Sequence, residues 1–179
     1  MLVELCIQNC FDELDDCEET RAIYNDAQIA PETWEQWFRV WLETLDTIPE
    51  APSYEIALRL TNDTEIQSLN SQYRHQDKST DVLAFAALEV DCPQPVLEDS
   101  DLDLPLYLGD IIISIETANR QAQELGHPLS TELAWLSAHG LLHLLGWDHP
   151  DDETLERMLK QQVIMLNRVG ISIDTINTN

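Results

Sequence analysis

Residues 108–149 read LGDIIISIETANRQAQELGHPLSTELAWLSAHGLLHLLGWDH. Leu108-Gly109-Asp110-Ile111-Ile112-Ile113-Ser114 is a strand by its apolar run. A helix follows to about Leu125, with Gly126 placed to stop it and Pro128 just beyond. Ser130 or Thr131 can cap a second helix, which runs to about Leu145. One strand handing over to two helices sets the class as mixed α/β, in which helices must cover a sheet.

The flanking sequence extends the pattern. Val82-Leu83-Ala84-Phe85-Ala86-Ala87-Leu88 reads as a buried strand, and residues 54–60 alternate as an amphipathic strand. Thr61-Asn62-Asp63 marks a turn and helix start, followed by Ile66, Leu69, Asn70 and Tyr73 at helical spacing. Residues 31–45 carry Trp34, Trp37, Phe38, Trp41, Leu42 and Leu45 on one helical face, with Pro31 in a first-turn position. That stripe reads as core. Leu2–Ile7 suits a strand, Pro49 and Pro52 break the chain, and Pro150 precedes a last helix over 151–168. The expected architecture is a single domain over residues 1–179, of α+β or mixed α/β class. It has a small, partly parallel, four-stranded mixed sheet and about five helices. One of these, the histidine-bearing helix, lies in the core.

Composition bounds the function. The 179 residues are 44% hydrophobic and 24% charged, enough to bury a core. Nine Lys and Arg against 34 Asp and Glu give a net charge of −25. Such a surface repels nucleic acid and anionic membranes at long range. The acids are clustered: residues 1–20 hold seven and no base, and the 91–106 segment, with three prolines, reads as an acidic surface loop. Arg74, His75 and Lys78 make a local cationic exception, although a solvated turn accounts for His75 and Lys78. No apolar run reaches the roughly 18 residues of a membrane span. The N-terminus lacks the basic start of a secretory signal, so a cytoplasmic location is expected. Cys6, Cys10, Cys17 and Cys92 lack the paired knuckles of a zinc ribbon and read as reduced structural thiols.

The chemistry concentrates in His139-Gly140-Leu141-Leu142-His143-Leu144-Leu145-Gly146-Trp147-Asp148-His149. Residues four apart on a helix share a face, with Cβ atoms about 5–6 Å apart, so His139 and His143 can grip one metal ion. Gly146 lies one turn later, where the chain can reverse through positive φ and return His149 as a third ligand. Three histidines leave a fourth coordination position open, as in a catalytic zinc site. Without a metal, two histidines in so apolar a helix would leave buried ring N–H groups unsatisfied. Asp148 can either orient a ligand histidine or cap the last helix. The spacing H-x3-H-x2-G-x2-H is also that of metzincin proteases, but the protease glutamate position is Gly140, so the general base is missing.

The His139–His149 segment resembles the signature of the YbeY family, bacterial single-strand endoribonucleases and rRNA maturation factors. The resemblance extends to Leu69-Asn70, Tyr73-Arg74, Thr80-Asp81-Val82-Leu83 with Phe85, and Leu108-Gly109-Asp110-Ile111, in order over residues 69–149. It departs at Ser79, Ala84 and Ala86, where the family usually has Pro, Ser and Pro. If the family serine has a chemical role, Ala84 makes it dispensable here. The 91–106 segment resembles an insertion. The resemblance implies one Zn2+ on His139, His143 and His149, and Arg74 as the cleft arginine, whose guanidinium would pair phosphate oxygens. It implies cleavage of single-stranded RNA in 16S rRNA maturation and ribosome quality control.

Three imidazoles also accept nickel or copper, so zinc rests on availability and on this resemblance. The net charge leads us to expect weak, salt-sensitive activity in isolation. A docking partner such as the small ribosomal subunit or a ribosomal protein would improve it. Two other readings use the same residues: a zinc hydrolase of peptides or amides, and a non-catalytic ribosome-assembly factor with a structural zinc.

Overall fold

A computed structural model of the chain describes residues 1–12, 17–89 and 104–173. Strand β1 (Leu2–Asn9) runs into a short 3-10 turn and is followed by helices α1 (Glu18–Asp26) and α2 (Pro31–Thr44). Then come β2 (Ser53–Thr61), α3 (Asp63–Arg74), β3 (Val82–Ala86), β4 (Leu106–Ser114), α4 (Ile115–Leu125), α5 (Leu129–Leu144) and α6 (Asp152–Arg168). The sheet order is β1-β2-β4-β3. The β1–β2 and β2–β4 pairs are parallel, and β3 returns antiparallel along β4 at the edge. Parallel neighbours cannot be joined by a hairpin, so α1 and α2 link β1 to β2, and α3 with β3 links β2 to β4.

Register divides the sheet into two faces. Leu58 lies opposite Ile111 and Leu60 opposite Ile113, and this buried row faces the main core. Ile112 and Leu83 point the other way and meet Ile66 of α3 in a smaller cluster. Helix α5 packs against β3, β4, α4 and α6, so it is apolar nearly all round. The stripe on α2 is core as expected, with Trp34, Phe38, Trp41 and Leu42 fully buried. Each such side chain contributes roughly 1.5–3 kcal/mol of apolar transfer. The indole N–H groups are also satisfied: Trp41 donates to the Met165 carbonyl at 3.0 Å and Trp34 to the Tyr24 hydroxyl at 3.1 Å.

The four strands and the mixed, partly parallel sheet agree with expectation; several details do not. There are six α-helices among the described residues, because α1 was not foreseen. Its sequence is mostly polar and only Thr20 is fully buried; Ile23 and Tyr24 pack half-buried on the core, too short a stripe to stand out. The run at 82–88 is not a buried interior strand. Residues 82–86 form a half-buried edge strand, and Leu88, 43% exposed, lies in a 3-10 turn. Neither Ser130 nor Thr131 caps α5. Pro128 holds the cap position, and its carbonyl accepts from Thr131 N at 3.0 Å. Gly126 does end α4, with φ of 72°. Most of the acidic 91–106 segment, with Cys92, falls outside the described residues.

A carboxylate network anchors α3 on the sheet. Asp63 Oδ1 accepts from Ser114 Oγ at 2.5 Å and Thr117 Oγ1 at 2.6 Å, and Oδ2 accepts from Arg120 at 2.8 Å. Burial pushes this carboxyl up, but the hydrogen bonds from Ser114, Thr117 and Arg120 together outweigh it and hold it below its ordinary value. Glu65 follows the same pattern, with Arg59 and Thr61 overcoming burial. The unfolded chain therefore binds these protons at higher pH than the folded one. Their stabilisation is complete above the ordinary carboxylate range and is lost as pH falls through the depressed folded values. Thermal midpoints are expected to drop below about pH 4, and Asp63→Asn to flatten that limb. An identical acid limb in Asp63→Asn would remove the network from this account.

Candidate metal centre and cleft

Helix α5 ends in a reversal that its sequence specifies. Gly146 N donates to the His143 carbonyl and Trp147 N to the Leu142 carbonyl, both at 3.0 Å, closing a Schellman turn. Gly146 sits at φ 87°, where a side chain would be strained. The reversal returns His149 to the face that carries His139 and His143. Ring centroids are 4.6 Å apart for His139–His143, 5.3 Å for His143–His149 and 5.6 Å for His139–His149. One ring nitrogen from each lies within 4.8 Å of the others. All three histidines singled out in the sequence thus meet at one point.

The donor set fits a metal ion. Burial pushes the His139 imidazole below its usual range, and burial with the neighbouring histidines pushes His143 down to about 4. Both rings are therefore neutral at pH 7, with lone pairs free for an ion. Imidazole-only ligation suits a borderline divalent ion such as zinc better than magnesium or calcium, which prefer oxygen.

Gln162 of α6 was not foreseen. It is fully buried; its Nε2 donates to the Trp135 carbonyl at 3.3 Å, which turns Oε1 toward His139 Nδ1 at 3.1 Å. Only an acceptor faces that nitrogen, so Nδ1 carries the proton and Nε2 holds the lone pair. His139 Nε2 lies 3.0 Å from His143 Nε2, on the side where an ion would sit. The available signal was a polar residue sharing a buried helical face with Met158, Met165 and Leu166. Gln162→Leu is expected to weaken metal affinity by about 10–100-fold with the fold retained, and Gln162→Glu to restore it. Chelator competition measures this, and an unchanged affinity in Gln162→Leu would reduce the residue to packing.

Arg74 ends α3 beside the same opening. A cavity of about 490 Å³ is lined by Asn70, Arg74, Lys78, Asp81, His139 and His143, among others. Arg74 Nη2 donates to the Ala84 carbonyl at 2.9 Å, and its guanidinium carbon lies 5.8 Å from the Phe85 ring centre. Position 84 thus holds the arginine through its backbone, which alanine supplies as well as serine. Asn70 is 4% exposed and donates to the Lys78 carbonyl at 2.9 Å, which fixes the turn between α3 and β3. His75, at φ 57°, ends the helix. Lys78 is exposed, as a solvated turn requires, yet it also borders the cavity. Asp81 accepts from Val82 N at 2.7 Å and Gln121 Nε2 at 3.1 Å, which ties the cavity wall to α4.

Two ambiguous positions acquire definite places. Asp148 accepts from the backbone N of His149 at 2.8 Å, so it shapes the returning loop. Asp151, not Asp148, caps α6 in a capping box with Thr154. At Gly140, a Cβ would lie 2.8 Å from Ile111 Cγ2. The helix approaches β4 closely there, so a side chain at this position would require Ile111 to shift.

Comparison with known proteins completes the description. The profile of the family described as Endoribonuclease YbeY matches residues 20–170. A protein of that name from Nostoc sp. is 60% identical over 173 residues, covering 96% of this chain and 92% of the relative. One from Trichodesmium erythraeum is 63% identical over 138 residues, covering 76% and 74%. The solution structure of TM1509 from Thermotoga maritima shares the fold at a TM-score of 0.50 and 21% identity, covering 99% of each chain.

Proposed function

The chain belongs to the endoribonuclease YbeY family, and from that membership we propose that it cleaves single-stranded RNA using a zinc ion held by His139, His143 and His149. The observation that carries the reading is the meeting of three ring nitrogens within 4.8 Å beside a cavity that also bears Arg74. When bound, the ion supplies Lewis acidity to a phosphodiester oxygen in the cavity. The protein's own groups do the rest. Arg74 spends one donor on the Ala84 carbonyl, leaving others of its five to grip phosphate oxygens and offset charge developing in the transition state. Gln162 holds His139 in the ligating tautomer. Lys78 adds a positive charge at the rim, while Asp81 keeps β3 and α4 in place around the opening.

We assign the whole chain, residues 1–179, to one catalytic domain working in the cytoplasm on 16S rRNA maturation and ribosome quality control. A net charge of −25 disfavours unaided binding to RNA, which supports docking through the small ribosomal subunit or a ribosomal protein. Among the described residues, no helix is long and apolar enough to cross a membrane. The peptide-hydrolase reading lacks its general base, because position 140 is glycine and carries no carboxylate. Arg74→Ala is the direct test. Cleavage of single-stranded RNA is expected to fall by about 10²-fold with metal content unchanged, the scale of losing one transition-state donor. Full cleavage by Arg74→Ala would remove the arginine from the mechanism.

A further inference from the structure

Away from the metal centre, two thiols that the function does not use face each other. Cys10 follows β1 and Cys17 holds the N-cap position before α1; their sulfurs are 3.0 Å apart, at 0% and 1% exposure. Both are reduced. Asn62 Nδ2 donates to Cys17 Sγ at 3.3 Å, and the same side chain caps α3 through Glu65 N. Burial, with a smaller effect from Cys17, pushes the Cys10 thiol up to about 12.

We propose that Cys10 and Cys17 are a redox modification site that local opening at the start of α1 exposes, and that then closes to an intramolecular disulfide when it meets a small-molecule disulfide of neutral or cationic type. Folding has already brought the sulfurs together, so the entropy of closing the loop is spent before the bond forms. The sulfurs need approach by only about 1 Å to reach bonding distance. Cys17, whose Sγ also faces the Asn62 amide at 3.3 Å, is the attacking sulfur. It displaces one thiolate from the reagent and forms a mixed disulfide. Cys10 then attacks the Cys17 sulfur, the new bond forms, and the second thiol of the reagent leaves with the Cys10 proton. In total, two protein thiols and one reagent disulfide give one protein disulfide and two reagent thiols. The dithiol loses two electrons and the reagent gains them. The charge preference follows from the seven acids in residues 1–20, which repel an anionic reagent. Oxidation would change the acceptor beside the cap of α3, the helix whose far end carries Arg74.

The test uses the full chain with Cys6→Ser and Cys92→Ser, so that only the pair reacts. It is treated with cystamine, denatured and alkylated. The expected result is loss of both labelling sites, a mass lower by two hydrogens, and a Cys10–Cys17 cross-link after cleavage at acidic residues. A thermal midpoint raised by about 5 °C should accompany it, since the bridge restricts the unfolded chain. Adding Cys17→Ser should leave Cys10 alkylatable or carrying one cystamine half, with no rise in midpoint. Two alkylated thiols after prolonged treatment, or two separate mixed disulfides, would overturn the proposal. Because the mass of the oxidised parent decides the matter, the outcome stands even if Cys17→Ser fails to fold.

Discussion

Replacing His143 with alanine is expected to strip the divalent ion and take RNA cleavage below detection while the fold survives. His143 sits between the other two histidines, with its Nε2 3.0 Å from His139 Nε2. Its loss leaves two imidazoles where three converge. Loss of a hydrogen bond behind a ligand alone costs about 10–100-fold in affinity, so loss of a ligand should cost more than about 10³-fold. The ring is only partly buried, and the helix around it is held by Leu141, Leu142 and Leu144, all fully buried. The metal-free variant should therefore melt near the metal-free parent. Metal content and cleavage are measured on protein purified identically beside the parent. Equal cleavage by both would place the activity in a contaminant or another site. Retained metal would remove His143 from the ligand set.

Gly109→Ala is expected to cost more than about 4 kcal/mol and to lower the thermal midpoint by more than about 10 °C. Gly109 has φ of 135°, a backbone state closed to L side chains. It follows an extra residue in β4: Glu55 pairs with Tyr107 and Ile56 with Gly109, leaving Leu108 over. A Cβ would lie 2.1 Å from the Phe85 carbonyl oxygen and 3.0 Å from Ala87 N. Both are backbone atoms, of β3 and of the turn that follows it, so neither can rotate away. Relief would require prising β3 from β4, which would also shift the Ala84 carbonyl that holds Arg74. Gly126→Ala is the control. That residue also has positive φ, 72°, but open space around it, so about 1 kcal/mol is expected. Equal costs for the two variants would mean that strain at φ, and not the clash with β3, governs Gly109.

The local signals in this sequence were strong wherever one element carries its own pattern. The spacing of His139 and His143 on one helix, with Gly146 to reverse the chain, led to the three-histidine cluster because helix period and turn chemistry are local properties. The tryptophan stripe of α2 and the alternation of β2 were legible for the same reason. Arg74 was different. Nothing local separates it from any arginine ending a helix, and only its resemblance to a known block singled it out. The tertiary structure set it beside the histidines by carrying α3 over the sheet and binding Arg74 to the Ala84 carbonyl.

Other features had no local signature. Helix α1 offers only Ile23 and Tyr24 as apolar residues on its core side, amid polar neighbours. Whether 82–88 was an interior or an edge strand depended on strand order, since an apolar run looks alike in either place. Gln162 lies 23 residues from the histidine it orients. Its role needs α6 packed on α5. Gly140 looked like an absent general base, and the sheet shows that a side chain there would press on Ile111. The sequence by itself determined the strands, most of the helices and the histidine cluster, because periodicity, capping and i,i+4 spacing act within a few residues. Only the tertiary structure decided which distant groups orient, confine and accompany that cluster, because those contacts arise from packing between elements far apart in the chain.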